Sequence, residues 1–261
     1  MRLATFNILH GRSLVDGQVD VDRFGEAVRR IDADVLALQE VDRDQPRSLQ
    51  ADLTTVAARA GDAVDQRFVA TLHGEPGTWT AATGREQPDT AAYGVALVSR
   101  FPVRSWQVTA LPAVPYPVPV FHHGRRTPAL TRDEPRAAVA AVLETPEGPF
   151  TAVATHLSFI PWWNVLQLRT LVRVSRDLPR PLVLLGDLNM GPRPAARATG
   201  WHPVAEALTF PSPQPVRQLD HVLVDGDVTP LGPAVALDAG VSDHRALVVD
   251  VALGPPGTGG R

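Results

Sequence analysis

Short apolar runs recur along the chain at 2–8, 34–39, 66–72, 92–98, 137–143, 150–155, 181–185, 220–224 and 245–252. Each is too short for a buried helix and is flanked by Gly, Pro or Asp, which marks a strand. Several are apolar at every position rather than at alternate ones, as in strands covered on both faces. Amphipathic segments lie between them. Phe24, Ala27, Val28 and Ile31 follow the i, i+3, i+4, i+7 spacing of a helix, with Asp20 or Asp22 as its N-cap. Residues 49–60 form a second expected helix. Residues 163–178 form a third, with Leu168, Leu171, Val172 and Leu178 on its buried face. Strands and helices follow one another in mixed order. The expected class is therefore α/β of the α+β type, with sheets that pair substantially antiparallel under covering helices.

A chain of 261 residues can bury a real core. One domain is expected over 1–253, followed by a disordered Gly- and Pro-rich tail at 254–261. Residues 111–136, rich in Pro and Arg, are expected to be irregular, and functional or mobile. No apolar run approaches the roughly 20 residues that span a bilayer. Met1-Arg2 leads directly into the first apolar run, so no secretory signal is expected and the reading is a cytoplasmic monomer. The absence of cysteine excludes disulfides, thiolate ligands and Cys nucleophiles. The net charge of −3 lacks the basic excess typical of proteins that live on nucleic-acid backbone. All 25 basic residues are Arg, which reads as the coding bias of a GC-rich genome.

Against this background, polar residues stand at the edges of the apolar runs. Asn7 interrupts the first run near its end, where a turn-forming Asn is the plain alternative. Glu40 follows Asp-Val-Leu-Ala-Leu-Gln and could hold a hard cation through its carboxylate. In Pro181-Leu-Val-Leu-Leu-Gly-Asp-Leu-Asn-Met190 the apolar residues deliver Asp187 and Asn189 to a strand end. Extended geometry would point both to one side, about 7 Å apart. Gly186 would let the backbone bend there or approach a ligand closely. The alternative is an Asx-rich turn. His156 ends another run; Asp220-His221 and Ser242-Asp243-His244 open two more. A carboxylate partner orients an imidazole and raises its basicity. Neighbours along a strand face opposite ways, so His244 is paired with Asp220 rather than with Asp243. Each signal is weak alone. Together they concentrate polar groups at core edges, where each costs desolvation unless satisfied.

Asn7, Leu-Gln-Glu40, Thr-His156-Leu, Gly-Asp187-Leu-Asn189, Asp220-His and Ser-Asp243-His244 occur in that order over roughly residues 1–252. The pattern resembles the endonuclease/exonuclease/phosphatase (DNase I-like) superfamily. Gly94-Val-Ala-Leu-Val-Ser-Arg100 and Glu-Pro-Arg136 are similar to further segments of that group. The resemblance implies a four-layer α/β sandwich of two mainly antiparallel sheets packed face to face, with helices outside and the site at one end. It implies hydrolysis of a phosphodiester or phosphomonoester by in-line attack of an activated water. Glu40 would be the main ligand of Mg²⁺ or Mn²⁺, with Asn7 and Asp243 close by. Asp187 and Asn189 would align water and phosphate. His244, oriented by Asp220, would act as general base or bind a phosphoryl oxygen. His156 would stabilise developing charge or help the leaving group, and Arg136 would bind the substrate with Asn189 and His156.

The substrate stays open. Arg125, Arg126, Arg132 and Arg136 could clamp phosphate, or belong to a solvated loop. Phe159-Ile-Pro-Trp-Trp163 could stack on bases, lie at a lipid interface or pack in the core. The acidic balance favours a small or lipid-like phosphate ester. A DNA nuclease, repair-like, is the alternative, and a catalytically inactive binding protein on the same scaffold is a remote third.

Overall fold

The computed structural model describes residues 1–83, 90–120 and 127–254. In chain order the elements begin with β1 (Arg2–Asn7), α1 (Val21–Ile31), β2 (Val35–Arg43), α2 (Leu53–Ala60), β3 (Asp65–His73), β4 (Thr80–Ala81) and β5 (Ala92–Ser99). They continue with β6 (Val103–Leu111), β7 (Val118–Val120), β8 (Ala129–Thr131), β9 (Arg136–Thr145), β10 (Gly148–His156), α3 (Pro161–Val174) and β11 (Leu182–Asp187). The last are α4 (Pro192–Thr199), β12 (His202–Pro203), β13 (Asp220–Asp225), β14 (Val228–Pro230), β15 (Val235–Leu237) and β16 (Ala246–Leu253).

The apolar runs become strands of two sheets. The first is ordered β14-β16-β1-β2-β5-β3-β4, with β15 also on β16; the second is ordered β12-β13-β11-β10-β9-β6. Among the described residues, only β1–β2 and β10–β11 pair in parallel; the other pairs are antiparallel. Alternate residues explain the layering. Leu3, Val35 and Ala37 of the first sheet pack with Ala152, Val183, Val222 and Leu247 in a core between the sheets. The opposite parity of the first sheet, Ala4, Leu36 and Leu38, packs under α1 with Phe24, Val28 and Ile31. On the far side, Val153 and Leu184 pack under α3 with Leu168 and Leu171. The result is a four-layer sandwich.

The helices begin where side chains can cap them. Asp20 accepts a hydrogen bond from the Arg23 backbone N–H at the head of α1. Asp52 does the same for Thr54 and Thr55, so α2 starts at Leu53 rather than at residue 49. The residues before it form a short 3₁₀ turn, Pro46–Ser48, and Leu49 is left-handed. Pro161 at the first turn starts α3 two residues early, and it ends at Val174 rather than at residue 178. β6, a sheet-edge strand paired with β9 alone, and α4 arise where the apolar pattern is too sparse to announce them. The stretch 111–136 is not irregular throughout: β7 and β8 form a two-stranded ladder within it. Residues 255–261, expected as a tail, and Arg125 and Arg126 lie outside the described residues. No described helix is long and apolar enough to cross a membrane.

Candidate active site

The polar residues converge because strand direction and register bring their ends together. His156, Asp187 and Asp220 are consecutive partners across β10, β11 and β13. Their parity is that of Ala154, Leu185 and Val222, so they continue the face that looks into the space between the sheets. Asn7 closes β1 on the same face as Leu3. His244 comes from the turn before β16, which runs antiparallel to β1 and so starts at the same end.

Glu40 reaches this place by an irregularity. Strict alternation along β2 would send it toward the helix layer with Leu36 and Leu38. Instead the ladder with β5 shifts register between Leu38 and Val41, and Glu40 takes a left-handed conformation (φ 56°). The bulge keeps Val41 in the helix-side core and turns Glu40 into the cleft. The strand therefore runs on to Arg43 instead of stopping before Glu40. A left-handed glutamate is costly backbone, the kind of strain that collects at functional positions.

Asn189 also departs from the extended geometry expected of it. It is left-handed (φ 50°), and its backbone N–H donates to Asp187 Oδ1 at 2.9 Å. The Asx turn expected as the plain alternative is present, and it brings the Asn189 amide to 3.2 Å from His156 Nε2. A Cβ on Gly186 would collide with the Thr155 carbonyl, so the glycine serves close packing of β11 on β10.

One carboxylate lies at the centre. Asp187 Oδ2 accepts from Asn7 Nδ2 at 3.1 Å and sits 3.6 Å from His156 Nε2 and 3.7 Å from His244 Nε2. Burial, joined by Asp220 and opposed by His244, pushes its pKa up to about 6. Asn7 Nδ2 also donates to Glu40 at 3.0 Å, while Asn7 Oδ1 accepts from the Leu9 N–H. Asn7 thus presents its NH₂ to two carboxylates. Burial raises the Glu40 pKa; the Asn7 hydrogen bond opposes this, and the neighbouring Asp243 charge adds to it.

The two histidines are held differently. His244 Nδ1 lies 2.9 Å from Asp220 Oδ2, which also accepts from Thr209 at 2.6 Å. Burial alone would lower the His244 pKa, but Asp220 and Asp187 outweigh it and push it up to about 10. Phe210 lies against the ring, with centroids 4.9 Å apart. His156 Nδ1 instead meets Arg136 Nη1 at 3.1 Å. Burial, and then the Arg136 cation, hold its pKa well below the ordinary imidazole value. Arginine can only donate, so Nδ1 accepts and the neutral ring carries its proton on Nε2. His156 Nε2 and His244 Nε2 are then two donors facing Asp187 Oδ2, while the Asn189 amide nitrogen donates to the Leu157 carbonyl at 3.0 Å.

Asp187, Asp220 and His244 form a buried acidic and imidazole cluster whose ligand atoms lie within 4.8 Å of one another. Its His244 Nδ1 is already committed to Asp220, so the trio as it stands is an oriented imidazole beside a carboxylate. Glu40 and Asp243 are better suited to a cation. Their charges oppose each other, and a hard divalent ion would relieve that repulsion. Asp243 is partly buried and is not part of the cleft lining, though its charge reaches Glu40.

The cleft has a volume of about 500 Å³ and is lined by Asn7, Glu40, Arg136, His156, Asp187, Asn189 and His244. Its lining also includes His10, Arg47, Trp79, Tyr93, Phe210 and Arg217, which the sequence pattern had not singled out. Apart from Tyr93, in the apolar run 92–98, none belongs to such a run, and only their fold neighbours reveal them. Arg132 is exposed and is not part of the lining. Of the aromatic run, Phe159 lines the cleft. Ile160 packs with Val114 and Val118, Trp163 donates to the Pro112 carbonyl at 2.8 Å, and Trp162 is half exposed.

A two-sheet sandwich with acids, amides and imidazoles gathered at one end defines a class of phosphoester-handling folds. The endonuclease/exonuclease/phosphatase family profile matches residues 4–244, and the chain belongs to that family. No curated protein matches it in sequence. Among solved structures it is similar to an endonuclease/exonuclease/phosphatase from Beutenbergia cavernae (TM-score 0.69, 22% identity, covering 99% of this chain and 73% of that one). It is similar also to a mannosyl-6-phosphatase from Bacteroides thetaiotaomicron (0.66, 15%, 97% and 100%). A third is the human Nocturnin catalytic domain with bound sulfate (0.62, 16%, 97% and 94%). At these identities the likeness is one of fold.

Proposed function

We propose that this protein is a divalent-metal-dependent phosphoesterase acting on a small phosphate ester. The observation that carries the reading is the pair of convergent imidazole donors, His156 Nε2 and His244 Nε2, set against the acceptor Asp187, with the Asn189 amide beside them. Imidazole donors turned toward one point of a cleft suit the oxygens of a phosphoryl group, whose charge grows in the transition state. Asp187, with its pKa pushed up to about 6, is poised to accept a proton from an attacking water near neutral pH. His244, kept charged by Asp220, donates to a phosphoryl oxygen. His156, kept neutral by burial and Arg136, donates from Nε2 toward the leaving oxygen.

Glu40 and Asp243, with Asn7 beside them, would hold Mg²⁺ or Mn²⁺. The ion would supply charge neutralisation at the phosphate. The net charge of −3 and a confined cleft of about 500 Å³ favour a small ester over a nucleic acid.

The test is a substrate panel: a chromogenic phosphodiester, a phosphomonoester, supercoiled plasmid, an abasic duplex and a phospholipid, each with Mg²⁺, Mn²⁺ or EDTA. Hydrolysis of a small ester that EDTA abolishes, and that Glu40→Ala reduces by about 10³-fold, is expected. Full activity in Glu40→Ala or His244→Ala would overturn the site, and plasmid nicking at physiological salt would move the substrate to nucleic acid.

A further inference from the structure

Beyond the reacting end, the cleft has a second wall built around Arg47. This residue lies in the 3₁₀ turn after β2 and grips Asp42 with two parallel hydrogen bonds, Nε at 2.8 Å and Nη2 at 2.7 Å. Asp42 is fully buried, so the pair fixes the guanidinium in place. The guanidinium carbon lies 5.6 Å from the ring centre of Trp79 and 5.6 Å from that of Tyr93, and the two rings lie 5.9 Å apart. His10 completes the wall. Its backbone is left-handed (φ 47°), as is that of Leu9 before it (φ 44°), two consecutive unfavourable conformations in residues that line the cleft.

Neutralising Asp42 accounts for only two of the three guanidinium nitrogens. Nη1 has no hydrogen-bond partner among the described residues, and the Arg47 side chain keeps 31% of its surface exposed within the cleft lining. A pinned cation with a free donor edge, an indole face beside it and an imidazole at hand recognise a ring that bears a negative charge. Glu40 lines the same cleft and its charge reaches Arg47, so a ligand bound at the reacting end could extend to Arg47.

We propose that Arg47, Trp79 and His10 form a second subsite, and that the substrate is a ring-bearing phosphate ester with a second anionic group, a phosphate or a carboxylate, away from the bond that is cleaved. The proposal rests on the phosphoesterase reading, but its test separates the two. Binding of glucose 6-phosphate and of glucose 1,6-bisphosphate is measured by calorimetry in EDTA, and KM for both is measured with Mg²⁺. The bisphosphate should bind the wild-type protein at least about tenfold tighter than the monophosphate, one charge-assisted contact's worth. Arg47→Gln alone strands a buried carboxylate and could unfold the chain. The variant to use is therefore Asp42→Asn with Arg47→Gln, checked for folding by circular dichroism. In it the preference should fall to about unity. Trp79→Ala should weaken both esters alike and leave their ratio intact. Equal binding of the two esters by the wild type, or a preference that survives in the folded double variant, overturns the subsite. Absence of any hydrolysis with intact calorimetric preference would instead overturn the phosphoesterase reading and leave the subsite standing.

Discussion

His156 and His244 approach the same oxygen, Asp187 Oδ2, at 3.6 and 3.7 Å, and both are buried. Their second ring nitrogens meet opposite partners. His244 Nδ1 meets the Asp220 carboxylate, and His156 Nδ1 meets the Arg136 guanidinium. Burial lowers both pKa values. Two carboxylates reverse this for His244, while a cation deepens it for His156. The site thus holds one charged and one neutral imidazole on either side of a single carboxylate oxygen. Neither is placed as the proton acceptor: His244 already carries its proton, and His156 has its lone pair turned to Arg136. In the proposed reaction that leaves Asp187, the group between them, for the base.

The comparison breaks most sharply at Asp220. Asp220→Asn should cost about 10³-fold in kcat, within the range for a general acid or base, because His244 loses the charge that keeps it protonated. Combining it with His244→Gln should cost little more, since the pair acts as one unit. Additive losses in the double variant would show that Asp220 and His244 work separately.

A smaller effect belongs to the other imidazole. Arg136→Met removes the cation and the donor from His156 Nδ1, so the His156 pKa should rise and its tautomer should become free to change. ¹⁵N chemical shifts of the ring report both. Activity should fall by about tenfold to a hundredfold. A His156 that stays neutral with the proton fixed on Nε2 in this variant would mean that burial alone, not Arg136, sets its state.

The proton chemistry also has a sign. With Asp187 near 6 and His244 near 10, kcat/KM should rise as pH passes about 6 and fall as it passes about 10. Stability should follow the histidine. The folded pKa of His244 is raised above its ordinary value, so its contribution is fully present below about 6.5 and lost as pH climbs through about 10. Tm measured in EDTA from pH 7 to 10.5 should therefore fall more steeply for wild type than for His244→Gln. Parallel curves would contradict a charged His244.

How far the sequence already declared this contrast follows from what determines each partner. The strands were legible because their apolar runs are nearly continuous. Asn7, His156, Asp187 and Asp220 were legible because each stands where such a run meets polarity. The Asp220–His244 pairing follows from excluding Asp243, although His244 lies in a turn before β16 and not on a strand. Glu40 was visible as a residue, but its orientation was not. Alternation predicts the helix side, and only the bulge turns it inward. The Arg136–His156 contact could not be read, because it joins strands β9 and β10 through a side-chain reach that no spacing encodes. Thr209, Phe210, His10, Arg47 and Trp79 left no signal, since they come from turns and short ladders whose positions depend on the finished sandwich.

The smallest expected effect lies one residue behind Asp220. Thr209 Oγ1 donates to the same Asp220 Oδ2 that accepts from His244, and it also accepts from the Leu219 N–H at 3.3 Å. The other oxygen, Asp220 Oδ1, is buried with no partner among the described residues. Thr209 therefore helps to determine which way the carboxylate turns. Thr209→Val keeps the shape and removes the donor, and should cost about 1 kcal/mol of stability. If its role is to aim Asp220, kcat should drop a few-fold with KM unchanged, and the alkaline limb of the pH profile should move down as His244 loses part of its support. Behind Arg136 stands a carboxylate rather than a hydroxyl, Glu134 at 3.6 Å from Nη2, so the loss of one hydroxyl has no counterpart on the His156 side. A Thr209→Val enzyme with lower stability but an unmoved alkaline limb would make Thr209 a packing residue and leave His244 to Asp220 alone.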